Sequence, residues 1–153
     1  MAHSKLRTQP AGQIRIGDAA VDGLFDGALA GLGMALCLAL TDLVSGGIPL
    51  AVLTGFDVGQ WSSPLRGLAL HLTLAAIYGA IFSVARRAIV RRWPLNRWIS
   101  GAFGLAYGLL LLLIAPWMLP AGVEALLRAV TPIDFFIAHV IYGVSLGMLS
   151  SRR

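Results

Sequence analysis

Four long apolar segments are the feature that most constrains how this chain can fold. They cover residues 24–44, 65–85, 98–119 and 133–150. Each has roughly the length of about 20 residues that an α-helix needs to cross a bilayer. Of the 153 residues, 58% are apolar and 12% are charged, which is about half the charged fraction of a typical soluble domain. The sequence therefore predicts an all-α, polytopic membrane protein whose four transmembrane helices form two tandem helical hairpins.

The positions of the basic residues predict the orientation in the membrane. In a four-span chain, the N-terminus, the 86–97 loop and the C-terminus share one side. Ten of the twelve basic residues fall there: Lys5, Arg7, Arg15, Arg86, Arg87, Arg91, Arg92, Arg97, Arg152 and Arg153. The positive-inside rule then places both termini in the cytoplasm. We expect a polar arm at 1–18, one membrane domain at 19–153 and no cleavable signal peptide. The arginine-rich, alanine- and glycine-rich composition indicates a bacterial cytoplasmic (inner) membrane.

Small residues recur at intervals of four along the apolar segments and mark the helix faces that should pack. The second and fourth segments carry stripes that each begin with a histidine: His71, Ala75, Gly79, Ser83 and His139, Gly143, Gly147, Ser151. The first and third carry Gly23, Gly27, Gly31, Gly104 and Gly108. Such stripes let helix backbones approach closely in lipid. They suggest a duplicated two-helix unit whose halves are related by an axis along the membrane normal. They also suggest more packing faces than four helices need internally.

Ionisable residues within the apolar segments are candidates for function. Asp42, His71 and His139 form one candidate ion or proton site, because histidine titrates near neutral pH. Alternatively, His71 and His139 are axial ligands of a b-type haem. A third interpretation makes both histidines structural, each bonded to a neighbouring helix.

An acidic face opens the first segment, where Asp18, Asp22 and Asp26 recur at intervals of four. Negative charge near a helix N-terminus complements the helix dipole. Asp26 lies deepest and needs a partner, for which Arg86 or Arg87 is suitably placed. At the start of the fourth segment, Asp134 is expected in the first helical turn.

The arginine cluster between the second and third segments comprises Arg86, Arg87, Arg91, Arg92 and Arg97. It serves as a topology determinant and is expected to contact anionic lipid headgroups. The basic residues lie beside and between apolar segments, not along one face, so nucleic acid is not an expected partner.

The motifs of nucleotide-binding, hydrolytic and metalloprotease sites are absent from the sequence. We therefore expect no enzymatic activity and no required cofactor. The leading interpretation is a non-catalytic integral subunit that packs against partner membrane proteins, or against copies of itself, in a larger complex such as an energy-converting one. The alternatives are a small transporter or channel-like protein and a carrier of haem b.

Residues 65–145 carry short motifs that resemble the YagU-like family of small bacterial inner-membrane proteins. The matching residues are His71, Tyr78, Gly79, Trp93, Pro94, Gly101, Gly104, Pro116, Pro120, His139, Tyr142 and Gly143. The resemblance implies a polytopic inner-membrane protein. It implies no particular activity and no site residues.

Overall fold

The computed structural model describes residues 16–47, 51–55, 63–90, 96–118 and 130–152. Its helices are α1 (Ile16–Val44), α2 (Ala51–Thr54), α3 (Pro64–Val90), α4 (Arg97–Met118) and α5 (Pro132–Ser150). The four long helices α1, α3, α4 and α5 have the length and hydropathy to cross a membrane. The predicted all-α, four-span architecture is therefore confirmed, and the chain is a multi-pass membrane protein. Residues 1–15 of the predicted polar arm lie outside the described residues.

Helices α1 and α3 form an antiparallel hairpin whose backbones nearly touch. Gly23 faces Gly79 and Ser83, and Gly27 faces Ala75 and Gly79. A Cβ atom added to Gly27 would lie 2.8 Å from the Gly79 Cα, and one on Gly23 would lie 2.7 Å from the Ser83 Cβ. No side chain fits at these distances, so glycine is required for the helices to approach this closely.

Helices α4 and α5 form the second hairpin in the same way. Gly104 and Gly108 face Gly143, and Gly147 faces Ser100 and Gly104. A Cβ atom on Gly143 would lie 3.0 Å from the Gly108 Cα. All nine predicted packing residues therefore meet a helix of the same chain. Over the described residues, the stripes do not provide the surplus packing faces that we expected for a partner.

The two hairpins pack through equivalent contacts. Gly27 meets the Ala75 carbonyl and the Gly79 Cα, as Gly104 meets the Gly143 carbonyl and the Gly147 Cα. This correspondence is the one that aligns the two stripes at their histidines. Because residues at intervals of four also fit a register shifted by one turn, the equivalence of the two histidines stays a prediction.

The hairpins meet along two unlike seams. Helix α1 packs directly on α5. Helices α3 and α4 are bridged by aromatic side chains, with ring centroids 5.9 Å apart for Phe82 and Phe103 and 5.1 Å apart for Phe82 and Tyr107. The Tyr107 hydroxyl donates to the Tyr78 carbonyl at 2.9 Å. An exact two-fold axis would make both seams alike, so the aromatic seam breaks the internal symmetry.

A buried tyrosine ties the diagonal helices α3 and α5 together at the centre of the bundle. Tyr142 is buried, and its hydroxyl donates to the Ala75 carbonyl at 2.7 Å. A hydroxyl in an apolar interior needs such a partner, because an unmet one carries a large desolvation penalty. The tightest packing around it includes Leu38, Phe82 and Leu146, which are almost completely buried.

Local capping signals fix two helix ends. After α1, Gly46 adopts a φ of 79°, which favours glycine. The Gly46 N–H donates to the Leu43 carbonyl at 3.2 Å, and the Gly47 N–H to the Asp42 carbonyl at 2.9 Å, as in a Schellman motif. At the start of α5, the Thr131 hydroxyl accepts from the Asp134 N–H at 3.2 Å. The predicted first-turn position of Asp134 is confirmed.

Candidate functional site

The two buried histidines lie toward the end of the bundle where α3 and α5 begin, which we call the histidine end. His71 bridges α1 and α3, because its Nε2–H donates to the Gly31 carbonyl at 3.0 Å. The His139 Nδ1–H donates within its own helix to the Phe135 carbonyl at 2.9 Å. One N–H of each ring is therefore held by a backbone carbonyl, as in histidines that act as structural hydrogen-bond donors.

Asp42 does not join the histidines. Gly31 is level with His71, and Asp42 lies eleven residues farther along α1, which is about 16 Å at 1.5 Å per residue. Its carboxylate folds over Gly47 in the turn that ends α1. The structure thus places the proposed ion site in two separate layers. The haem hypothesis retains two buried histidines, but one ring nitrogen of each is hydrogen-bonded to a backbone carbonyl.

The opposite end, which we call the arginine end, brings together one polar cluster from all four spanning helices. Asp26 of α1 is only 3% exposed, and it accepts from the Ser150 hydroxyl of α5 at 3.4 Å. Arg86 of α3 lies near enough to Asp26 for electrostatic attraction. The Arg86 Nη2 donates to the Ser100 hydroxyl of α4 at 3.5 Å. Arg86 is therefore near Asp26, and an ion pair between the two stays a prediction.

Two buried polar atoms in this cluster have no hydrogen-bond partner among the described residues. They are the Ser83 Oγ and the Arg86 Nε. Ser83 is 8% exposed and lies one turn before Arg86 on the same face of α3. Both line a cavity of about 100 Å³, together with Ala19, Asp22, Asp26, Arg87, Val90 and Ser150. Buried polar groups are normally paired, so these two atoms mark the cavity as the candidate site.

The predicted lipid-contacting arginines differ in their surroundings. Arg86 is directed into the bundle and not toward headgroups, and Arg87 lines the cavity. Arg97 is exposed at the start of α4, as a headgroup contact requires. Arg91 and Arg92 lie outside the described residues. The exposed Trp98 and Trp117 mark the two ends of α4, where interfacial aromatics are common.

The sequence did not predict that three serines belong to a polar site, namely Ser83, Ser100 and Ser150. Serine is common in membrane helices, and its presence alone carries no signal. One signal was available for Ser83, which closes the stripe that also contains Gly79. A polar residue in a packing stripe faces the bundle interior and therefore needs a partner there.

Fold and cluster together define a four-helix, multi-pass membrane protein with a polar site at one end. Groups of three or more His, Cys, Asp or Glu side chains that could hold a metal ion do not occur in the part of the chain that the structure describes. Comparison with protein-family models, curated proteins and solved structures gave no match to this chain. The site must therefore be interpreted from its own geometry.

Proposed function

We propose that this chain is a small transporter or channel-like protein of the bacterial cytoplasmic membrane, which binds a small polar solute at the arginine end. The supporting observation is the cavity lined by Ser83 and Arg86, whose buried Oγ and Nε atoms have no partner among the described residues. Ionisable residues inside membrane helices are costly and usually mark solute or ion pathways.

The composition of the cluster favours binding over a purely structural ion pair. A structural pair is stable only when its remaining donors and acceptors are also satisfied. Here Asp26 has the Ser150 hydroxyl and the nearby Arg86 charge, whereas the Arg86 Nε is left over. A solute that meets this group completes the network. Solute binding requires no covalent chemistry, in agreement with the absence of catalytic motifs from the sequence.

Flux into proteoliposomes tests the proposal. Sodium acetate, glycine and methylammonium chloride are offered separately, and vesicle swelling is followed by light scattering. We expect flux of at least one probe and a loss of that flux in Arg86→Lys and Ser150→Ala. Ser151→Ala is the matched control, because the Ser151 hydroxyl donates to the Met148 carbonyl away from the cavity. Flux that is absent for every probe, or that is equal in all variants, overturns the proposal.

A second candidate is the non-catalytic subunit of a larger membrane complex. One specific observation favours it: α1 exposes a row of leucines spaced three or four residues apart, Leu29, Leu32, Leu36, Leu40 and Leu43. This spacing presents apolar side chains along one helix face, which is available to a partner helix as well as to lipid tails. The test is the native mass after gentle extraction from the host membrane. Co-purifying polypeptides in fixed ratio support the subunit, and a protein that runs alone excludes it.

A further inference from the structure

We propose that the cavity at the arginine end binds a small oxyanion, held jointly by the Ser83 hydroxyl and the Arg86 Nε–H. This inference rests on the proposed function, because it names the chemical class of the solute that the site takes. Carboxylates and phosphates share the chemistry that the site requires. Their acceptor oxygens form charge-assisted hydrogen bonds with a guanidinium.

The unmet atoms decide the class of ligand. The Arg86 Nε carries a hydrogen and can only donate, and the Ser83 hydroxyl can donate as well. Both have no partner within the described part of the chain. Two donors on one face of α3 need acceptors, which an anion supplies. A cation would leave the Arg86 Nε without an acceptor.

The acidic side chains of the cavity do not oppose a small anion at this position. Asp26 is already engaged with the Ser150 hydroxyl and lies near Arg86. Asp22 also lines the cavity and belongs to the acidic face that opens α1. With Arg87 included, the lining holds two carboxylates and two guanidinium groups. A monovalent anion is therefore bound by local hydrogen bonds and not by a large positive field.

The size of the cavity limits the ligand. A volume of about 100 Å³ accommodates about three water molecules at roughly 30 Å³ each. Acetate or inorganic phosphate falls within this range. A larger organic anion would have to leave most of its body outside. The phosphate of an anionic lipid headgroup shares the same chemistry, and the experiment must separate the two sources.

Isothermal titration of the full chain in phosphatidylcholine nanodiscs tests the inference, with sodium acetate, sodium phosphate and methylammonium chloride as probes. We expect acetate or phosphate to bind and methylammonium not to bind. Ser83→Ala and Arg86→Lys each should weaken anion binding by roughly tenfold or more, the factor that corresponds to about 1.4 kcal/mol. Arg86→Lys keeps a positive charge near Asp26, and it removes the Nε–H together with the Nη2 donor to the Ser100 hydroxyl. The matched control Ser151→Ala should bind like the parent.

The outcomes separate the inference from the proposed function. If methylammonium binds and the anions do not, the oxyanion class is wrong while a solute site remains. If no probe binds and no probe crosses proteoliposomes, the cavity holds water only and both proposals fail. A second arm uses nanodiscs that contain phosphatidylglycerol. If acetate binding is lost there and Ser83→Ala does not restore it, the bound oxyanion is a lipid phosphate. Anion affinity that is unchanged in Ser83→Ala overturns the inference.

Discussion

The two buried histidines and the cluster at the arginine end differ in how their polar atoms are paired. At the histidine end, His71 and His139 each direct one ring N–H to a backbone carbonyl at 3.0 and 2.9 Å. At the arginine end, Ser83 and Arg86 each hold a buried polar atom without a partner among the described residues. Histidine is often a catalytic or ligand-binding residue, yet here each ring is hydrogen-bonded to a backbone carbonyl. The cavity lies beside the serine and the arginine.

The difference teaches how to separate structural from functional polar groups in a membrane bundle. Polar side chains that close their own hydrogen bonds stabilise helix contacts. Side chains that remain unmet after folding carry a desolvation penalty, which a bound molecule can relieve. Removing a hydrogen-bonded histidine should therefore destabilise the protein. Removing a side chain whose polar atom has no partner should leave its stability unchanged.

The largest expected effect comes from the glycine crossing that holds α1 against α3. In Gly79→Leu, the new side chain would have to occupy space now filled by the backbone of Gly23 and Gly27. The hairpin must separate, and we expect no folded protein by size-exclusion chromatography in detergent. Gly17→Leu is the control, because a Cβ atom there meets nothing within 4 Å. A monodisperse Gly79→Leu protein would contradict the close-packed crossing.

Arg86→Ala should have the next largest effect, because it leaves the buried Asp26 without its nearby positive charge. Because Arg86 is only partly buried and solvent screens its charge, we expect a cost of about 2–3 kcal/mol of unfolding free energy. Arg97→Ala, at an exposed position, should change it by less than about 0.5 kcal/mol. Reversible unfolding in mixed micelles measures both. Equal effects would show that Arg86 is a headgroup contact and not part of the cluster.

His71→Ala should destabilise the histidine end by about 1–3 kcal/mol. The change removes a buried ring and its bond to the Gly31 carbonyl on another helix. His139→Ala should cost less, because its lost hydrogen bond lies within one helix turn of α5. The same unfolding measurement ranks the two variants. Neither substitution should alter an absorbance spectrum, whereas a Soret band lost in both would establish haem ligation.

Ser83→Ala should have the smallest effect and sharpens the comparison most. Removing a buried hydroxyl that has no partner should leave the ligand-free protein unchanged or more stable, by about 1 kcal/mol. Ser150→Ala is the contrasting variant, because it removes a donor to Asp26 and should cost about 1 kcal/mol. Destabilisation by Ser83→Ala in the absence of ligand would mean that its hydroxyl is already paired.

Much of the fold could be predicted because it depends on hydropathy and charge placement. Predicted span ends at 44 and 150 coincide with the ends of α1 and α5. Two helices extend beyond the predicted apolar segments. Helix α1 begins at Ile16 and α3 continues to Val90, because a helix does not stop where the apolar segment stops. The polar residues of the membrane interface sustain the same backbone hydrogen bonds.

The site was less predictable, because it depends on the relative register of four helices. The expectation of an arginine near Asp26 followed from depth alone. The convergence of Ser100 and Ser150 on the same cluster depends on contacts between helices, such as that of Ser150 with Asp26 across 124 residues of chain, which periodicity does not encode. The register within each hairpin was likewise not predictable, because glycines at intervals of four fit several registers equally well.

The most direct test of this account is the melting temperature of the parent chain and of Ser83→Ala, each measured without and with sodium acetate. We expect Ser83→Ala to melt at or above the parent temperature without acetate. Acetate should raise the melting temperature of the parent, as a ligand that binds only the folded state does, and should have little effect on Ser83→Ala. A lower melting temperature for Ser83→Ala, with an equal acetate response in both proteins, would contradict the claim that the arginine end is an anion-binding site.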